Sequence, residues 1–333
     1  MVSRFTRSMR RSIFLGAIGL GTLAVLSALR PAAALADTPV KFIVPFPAGG
    51  AADSMARILV EKLRNELNQA VVVENRAGAS TRIAAEVLKH AKPDGNTVLL
   101  TLLDTMVIAP MVYANLRYDP SRDFVPITSV ATVTYALAVN ADSPYHSVHD
   151  YLKAASQDRG KASLGTTGQG STLHFLAYEF ARRANTDITI IPFQGGPAMV
   201  TNLVGNQIGS AIDGLGVFLE QHGARKLRIL AVSGSKRASQ LPEIPTFVEA
   251  GFSSLTSGSS YALYAPAGTP EAQVARWNQA MRKVLALPEV RARILSIGYE
   301  PLPGSSPGEV TQLQQKMVKL WRPIVDAANY KGD

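Results

Sequence analysis

Two stretches of this sequence put glycines where a strand hands over to a helix, and both have the makings of an anion site. The first is Phe42-Ile43-Val44-Pro45-Phe46-Pro47-Ala48-Gly49-Gly50-Ala51-Ala52-Asp53. A short apolar run ends in a Pro/Gly turn. Ala56, Leu59, Val60, Leu63 and Leu67 then follow the spacing of a helix with one buried face. At such a helix start the first backbone N–H groups lack intrahelical partners, and the helix dipole favours negative charge. The second stretch is Thr166-Thr167-Gly168-Gln169-Gly170-Ser171-Thr172, between a short strand over 161–165 and a helical run over 173–184. Its glycines let a ligand approach the backbone, and the hydroxyl of Ser171 or Thr172 can donate to an oxygen or cap the helix. Either turn alone reads equally well as an ordinary loop. Two of them, about 120 residues apart in matching contexts, read as opposed jaws across a cleft at the carboxyl ends of the strands.

Other chemistry finds less support. A hydrolase would need Ser171 as its nucleophile, but Gly170-Ser171-Thr172-Leu173-His174 does not match the Gly-x-Ser-x-Gly elbow, and His174 reads as a helix-facing residue. No lysine follows the glycines as a phosphate-binding P-loop requires. His146 and His149 have no third ligand nearby and read as exposed residues at a helix entry rather than a metal site. The chain has no cysteine, hence no disulfide, thiol nucleophile or thiolate metal site. No catalytic residue, metal or cofactor is therefore expected.

The elements that must hold the two turns alternate along the chain. After the first helix come the β-branched run Val71-Val72-Val73, a helix with Ile83, Ala84, Val87 and Leu88 on one face and Ser80 or Thr81 as its cap, a Pro93-Asp94-Gly95 turn, and a strand over 97–103. A further apolar run covers 130–139. Ser147 and Asp150 have capping-box spacing at a helix over 147–155. Strands over 188–192, 207–212 and 228–232, with a helix over 197–204, repeat the alternation of the first third. The last third holds a strand over 261–265, a helix begun by Thr269-Pro270-Glu271, a helix over 288–297 ended by Gly298, and a last helix opened by the capping box Ser306-Pro307-Gly308-Glu309, which Pro323 should kink or interrupt. The pattern is that of an α/β protein with parallel sheets covered by helices.

Residues 1–36 read as a secretory signal: Arg4, Arg7, Arg10 and Arg11, an apolar stretch over 13–29, and a small-x-small site at Ala34-Leu35-Ala36. Arg10-Arg11 departs from the twin-arginine spacing, so general export is the expectation. The whole chain carries 34 basic and 25 acidic residues, a net of +9; the five arginines of 1–36 leave 29 against 25, or +4, in the remaining 297 residues. That balance, without a basic tract, argues against a nucleic-acid partner.

In order and spacing the chain resembles the extracytoplasmic solute receptors of tripartite tricarboxylate transporters, the Bug or TctC-like proteins. The resemblance is carried by Val44-Pro45-Phe46-Pro47-Ala48-Gly49-Gly50 with Asp53 and Arg57, by Val73-Glu74-Asn75-Arg76-Ala77-Gly78-Ala79, and by Pro93-Asp94-Gly95. It continues through Gly168-Gln169-Gly170-Ser171 with His174, Leu241-Pro242-Glu243-Ile244-Pro245-Thr246, Glu249-Ala250-Gly251 and Ala265-Pro266-Ala267-Gly268-Thr269-Pro270. It implies a two-lobed, type II periplasmic-binding-protein fold: lobe I from 37–138 and 260–333, lobe II from 139–259, with crossings near Ala138–Asn140 and Ser259–Tyr261. It implies a ligand carboxylate held by main-chain amides and hydroxyls at Phe46, Ala48, Gly49, Gly50, Ala52 and Asp53 on one side and at Gly168, Gly170, Ser171 and Thr172 on the other. Asp53 has two readings, as an organiser of the turn, which is favoured, or as a partner for a ligand ammonium. The implied protein is a monomeric periplasmic receptor, not an enzyme, passing a small carboxylate to integral-membrane transporter subunits. A sensory binding protein without a transport role, or a hydrolase using Ser171, are the alternatives.

Some residues depart from the family pattern: Ala52 where a hydroxyl residue is common, Phe193-Gln194 for Tyr-Lys, Asn202 for Asp, Asp104-Thr105 at the cleft edge, and Ser260-Tyr261 where Trp is usual. These leave the ligand open among aliphatic di- and tricarboxylates, aromatic acids, acidic amino acids and neutral analogues.

Overall fold

A strand is buried on both faces only where a sheet is covered on both sides, and Val40–Val44 (β1) is such a strand: all but Lys41 are buried. The computed structural model describes residues 39–332 except 194, 254, 256 and 257; the expected signal segment 1–36, with its cleavage site, and Gln194 lie outside the described residues. From β1 the chain runs through α1 (Ala51–Leu67), β2 (Val71–Asn75), α2 (Arg82–Lys89) and β3 (Thr97–Leu102). The short helices α3 (Asp104–Val107) and α4 (Ala109–Val112) lead into β4 (Phe124–Val133). The second alternation follows: β5 (Tyr135–Asn140), α5 (Val148–Gln157), β6 (Ser163–Thr167), α6 (Thr172–Ala184), β7 (Thr189–Phe193), α7 (Gly196–Val204), β8 (Ser210–Gly214), α8 (Leu215–Gly223) and β9 (Leu227–Val232). The chain then returns through β10 (Ser259–Pro266), α9 (Glu271–Ala286), α10 (Pro288–Ser296), β11 (Tyr299–Pro301) and α11 (Pro307–Ala328).

The strands form two sheets, ordered β11-β4-β10-β3-β1-β2 and β7-β6-β8-β5-β9. Each has the expected parallel set, β2-β1-β3 in the first and β7-β6-β8 in the second. Each also has antiparallel members: β10 runs against β3 and β4, and β5 against β8 and β9. The apolar run 130–139 is therefore two strands. Its residues up to Val133 pair with β10 and β11 in the first sheet, and from Tyr135 onward they pair with β8 and β9 in the second. The change of sheet falls at Thr134, which corrects the crossing expected near Ala138–Asn140 and the division at 138/139; both lie inside β5. The return to the first sheet is at the start of β10, at Ser259.

The helices cover these sheets by the faces their periodicity marked. In α1, Met55, Ala56, Leu59, Val60, Leu63 and Leu67 are buried. Trp277 of α9 is buried against Phe42 of β1, with ring centroids 6.4 Å apart, and its indole N–H donates to Gly95 O at 2.9 Å. That bond satisfies a polar group a core would otherwise penalise. Ser147 caps α5 by accepting from Asp150 N, and the Ser306–Glu309 capping box of α11 is complete. Two local expectations fail. Thr81 sits at the N-cap of α2 without capping it, because its hydroxyl pairs with that of Thr105 at 2.6 Å. Pro323 does not interrupt α11: the carbonyl it deprives of a partner belongs to Lys319 on the exposed face, while buried Trp321 and Val325 hold the helix on its other face.

Candidate functional site

Parallel strands deliver their carboxyl ends to one edge of a sheet, and both glycine turns leave from such an edge. In the first turn Gly49 has φ +83°, and Gly50 is the extended N-cap of α1. Residues 47–50 are exposed, and the next N–H groups start α1 without an i−4 carbonyl to meet. Asp53, 2% exposed, ties the turn together. Its Oδ2 accepts from Gly49 N at 2.9 Å and from Arg57 Nε at 2.8 Å, and its Oδ1 accepts from Asn75 Nδ2 at 3.0 Å. The same Asn75 nitrogen donates to Phe46 O at 3.0 Å. The Arg57 hydrogen bond, with help from Gly49 and Asn75, outweighs burial and holds the Asp53 carboxyl at about 2. Its oxygens are thus engaged within its own lobe, in the organising role that was the favoured reading. Ala52 turns its methyl into the core, so its backbone N–H is what it offers. The half-buried Phe46 ring stands edge-on to Tyr261, with centroids 6.2 Å apart.

In the second turn Gly168 and Gly170 have φ of +66° and +75°, values that favour glycine at both positions. A Cβ on Gly170 would also lie 3.0 Å from Tyr113 Oη of the other lobe. Ser171 is the N-cap of α6 but makes no side-chain cap bond; its Oγ is buried and without a hydrogen-bond partner. Gly170 N donates to His174 Nδ1 at 3.2 Å. Burial lowers the His174 pKa, which favours the neutral ring whose Nδ1 accepts from Gly170 N. His174 therefore serves the turn's backbone and does not touch the Ser171 hydroxyl, so the serine–histidine pair that a hydrolase needs is not formed.

Asp104 links the first sheet to the second turn. It opens α3 just after β3, and β3 is the parallel neighbour of β1, so Asp104 lies at the same sheet edge as the first turn. Its Oδ2 accepts from Thr172 N at 2.9 Å, and its Oδ1 accepts from the Ser259 hydroxyl where the chain returns to the first sheet. Thr172 Oγ1 leans toward the same carboxylate without reaching hydrogen-bond geometry. Burial pushes the Asp104 carboxyl upward, and the bonds from Ser259 and Thr172 pull it partly back. Across the turn, Asp213 at the end of β8 accepts from Thr167 Oγ1 and from Gly214 N, each at 2.6 Å. Burial pushes it up to about 6. Tyr135, Tyr261 and Tyr299 back this region; burial raises all three, and the nearby Asp104 and Asp213 charges add to it. Ser80 Oγ reaches Gln169 O at 3.4 Å, a further bridge between the lobes.

The structure thus brings Gly168, Gly170, Ser171 and Thr172 together with the edge that carries Phe46, Ala48, Gly49, Gly50, Ala52 and Asp53. Sequence reasoning passed over Asp213, Ser259, Tyr135 and Asn75. Asp213 had a readable signal, as a lone acid closing the otherwise uncharged strand Ser210-Ala211-Ile212-Asp213-Gly214. Asp104 stood out only as a departure from a pattern, with no partner to suggest its task.

Two sheets joined by strands that cross between them define a two-lobed periplasmic-binding-protein fold. The periplasmic binding protein BugD is similar over 89% of this chain and 99% of its own, at 29% identity and TM-score 0.79. A second solved structure, of an R. palustris protein with adipate, matches 88% of this chain and 98% of its own, at 29% identity and TM-score 0.81. A UPF0065 protein from the tcbD-tcbE intergenic region of Pseudomonas sp. (strain P51) is 33% identical over 296 residues, 88% of this chain and 87% of its own length. Residues 55–330 match the TctC family, described as the tripartite tricarboxylate transporter family receptor, and the chain belongs to that family.

Proposed function

We propose that this chain is a periplasmic receptor that binds a small carboxylate between its lobes and delivers it to integral-membrane subunits of a tripartite tricarboxylate-type transporter. The observation that carries the reading is the first turn. Its exposed glycines lead into α1, whose first N–H groups lack helical partners, while the adjacent Asp53 charge is already neutralised by Arg57. A carboxylate there gains charge-assisted hydrogen bonds that replace its lost hydration. The family membership and the adipate-bound neighbour support the ligand class. In this reading Phe46, Ala48, Gly49, Gly50 and Ala52 receive the carboxylate, with Asp53 shaping their turn. Gly168, Gly170, Ser171 and Thr172 close on the ligand from lobe II. Closure pivots where the chain changes sheet, at Thr134 and at Ser259, and ligand shifts an existing open–closed equilibrium.

The test is Gly50→Val. Gly50 has φ −78°, and an added Cβ meets nothing nearer than Pro47 O at 3.5 Å, so the variant folds while its side chain covers the turn. Calorimetry with a panel of C4–C6 carboxylates should show binding to the parent and at least about a tenfold loss in the variant. Parent-like affinity in folded Gly50→Val protein removes the first turn from the site.

A further inference from the structure

Both turns read from sequence as anion holders, yet the second is bracketed by acids. Asp213 is bonded to Thr167, the residue before Gly168, and Asp104 is bonded to the backbone N–H of Thr172, at the start of α6. That N–H is one a ligand oxygen would seek, and a protein carboxylate already holds it. Asp104 and Asp213 are 8% and 7% exposed, and among the described residues no ion pair involves either. The imidazole of the turn, His174, is occupied by Gly170 N. At the start of α6, Ser171 Oγ and the wholly buried Thr172 Oγ1 have no hydrogen-bond partner among the described residues. Each carboxylate accepts two hydrogen bonds where it has room for about four, so acceptor capacity is left over on both.

We infer that the lobe II jaw receives an N–H-bearing end of the ligand, an amide or an ammonium, and that Asp104 is the residue that turns away a second carboxylate. The inference rests on the carboxylate reading of the first turn. A ligand nitrogen supplies donors to the spare lone pairs of Asp104 and Asp213 and to the two idle hydroxyl oxygens. A second carboxylate supplies only acceptors, and it adds negative charge beside two buried acids whose own ionisation burial already opposes. The ligand class that fits is a monocarboxylate with an amide or amine at its far end.

The experiment is calorimetric titration of the purified protein with chain-length-matched sets: succinate against succinamate, and adipate against adipamate and 6-aminohexanoate. The parent should bind the better nitrogen-ended member of a set about tenfold or more tighter than its dicarboxylate. The two nitrogen forms separate amide from ammonium. Asp104→Asn should narrow that ratio to within about threefold, chiefly by tightening the dicarboxylate. Because Asp104 is buried, the parent ratio stands as a test by itself should the variant not fold. A parent that binds succinate or adipate as tightly as its nitrogen-ended partners overturns the inference and leaves the carboxylate reading standing. A parent that binds no member of either set overturns the carboxylate reading, and the inference with it.

Discussion

Replacing Asp53 by Asn alters one atom of the side chain and disturbs three hydrogen bonds. An amide offers one acceptor oxygen where the carboxylate has two, and whichever way it is turned, its NH2 faces a donor: Gly49 N and Arg57 Nε on one side, or Asn75 Nδ2 on the other. The charge that Arg57 answers is also lost. The drop from 3.8 to about 2 corresponds to about 2 kcal/mol between folded and unfolded states. Arg57 is 57% exposed, so solvent screening trims this to about 1–2 kcal/mol. With an unsatisfied buried donor added, Asp53→Asn should destabilise lobe I by about 2–3 kcal/mol at pH 7. The pH sign follows from a depressed carboxyl: its contribution is full above 3.8 and is lost as pH falls from there through about 2. The gap between parent and variant should therefore be constant from pH 7 to 5 and shrink between pH 4 and 2. Urea unfolding followed by tryptophan fluorescence is the assay, since the only two tryptophans, Trp277 and Trp321, are both buried, and Trp277 packs on Phe42 of β1, the strand that leads into the turn. A variant within about 0.5 kcal/mol of the parent at pH 7, or a gap that does not close in acid, would refute this account of the turn.

Two further outcomes follow from lobe II. Ser171→Ala removes a buried hydroxyl that has no partner among the described residues, so folding stability should barely move while ligand binding weakens by about 1–3 kcal/mol; unchanged affinity by calorimetry takes Ser171 out of the site. Asp213 is raised to about 6, so its contribution to stability is present below about 3.8 and lost as pH rises through 6. The parent's thermal midpoint should carry a downward component across that window which Asp213→Asn removes, and identical pH profiles for the two proteins would contradict the burial of a charge there.

Much of the scaffold was legible because its signals are local. The alternation of apolar residues placed α1 on β1, and Ser147 and Ser306 capped the helices their spacing marked. The run 130–139 was not divisible in the same way. Both β4 and β5 are largely buried, so neither alternation nor polarity marks Thr134, and only the pairing partners reveal the change of sheet. Pro323 does not interrupt α11 for the opposite reason: buried Trp321 and Val325 on either side of it hold the helix across the position a local rule would break.

For the site, sequence determined the two turns themselves, because a glycine with positive φ between strand and helix is a property of a few consecutive residues. It also determined the class of ligand group a bare helix start can hold. Tertiary structure decided which polar groups are left for a ligand. Asp53 is spent on Gly49, Arg57 and Asn75. Thr172 N is taken by an acid 68 residues earlier, and that acid by a serine 155 residues later. Hydrogen-bond capacity and burial are set by neighbours in space. The acids around the second turn therefore became visible only once β3, β6, β8 and β10 had brought Asp104 to Thr172 and Ser259, and Asp213 to Thr167.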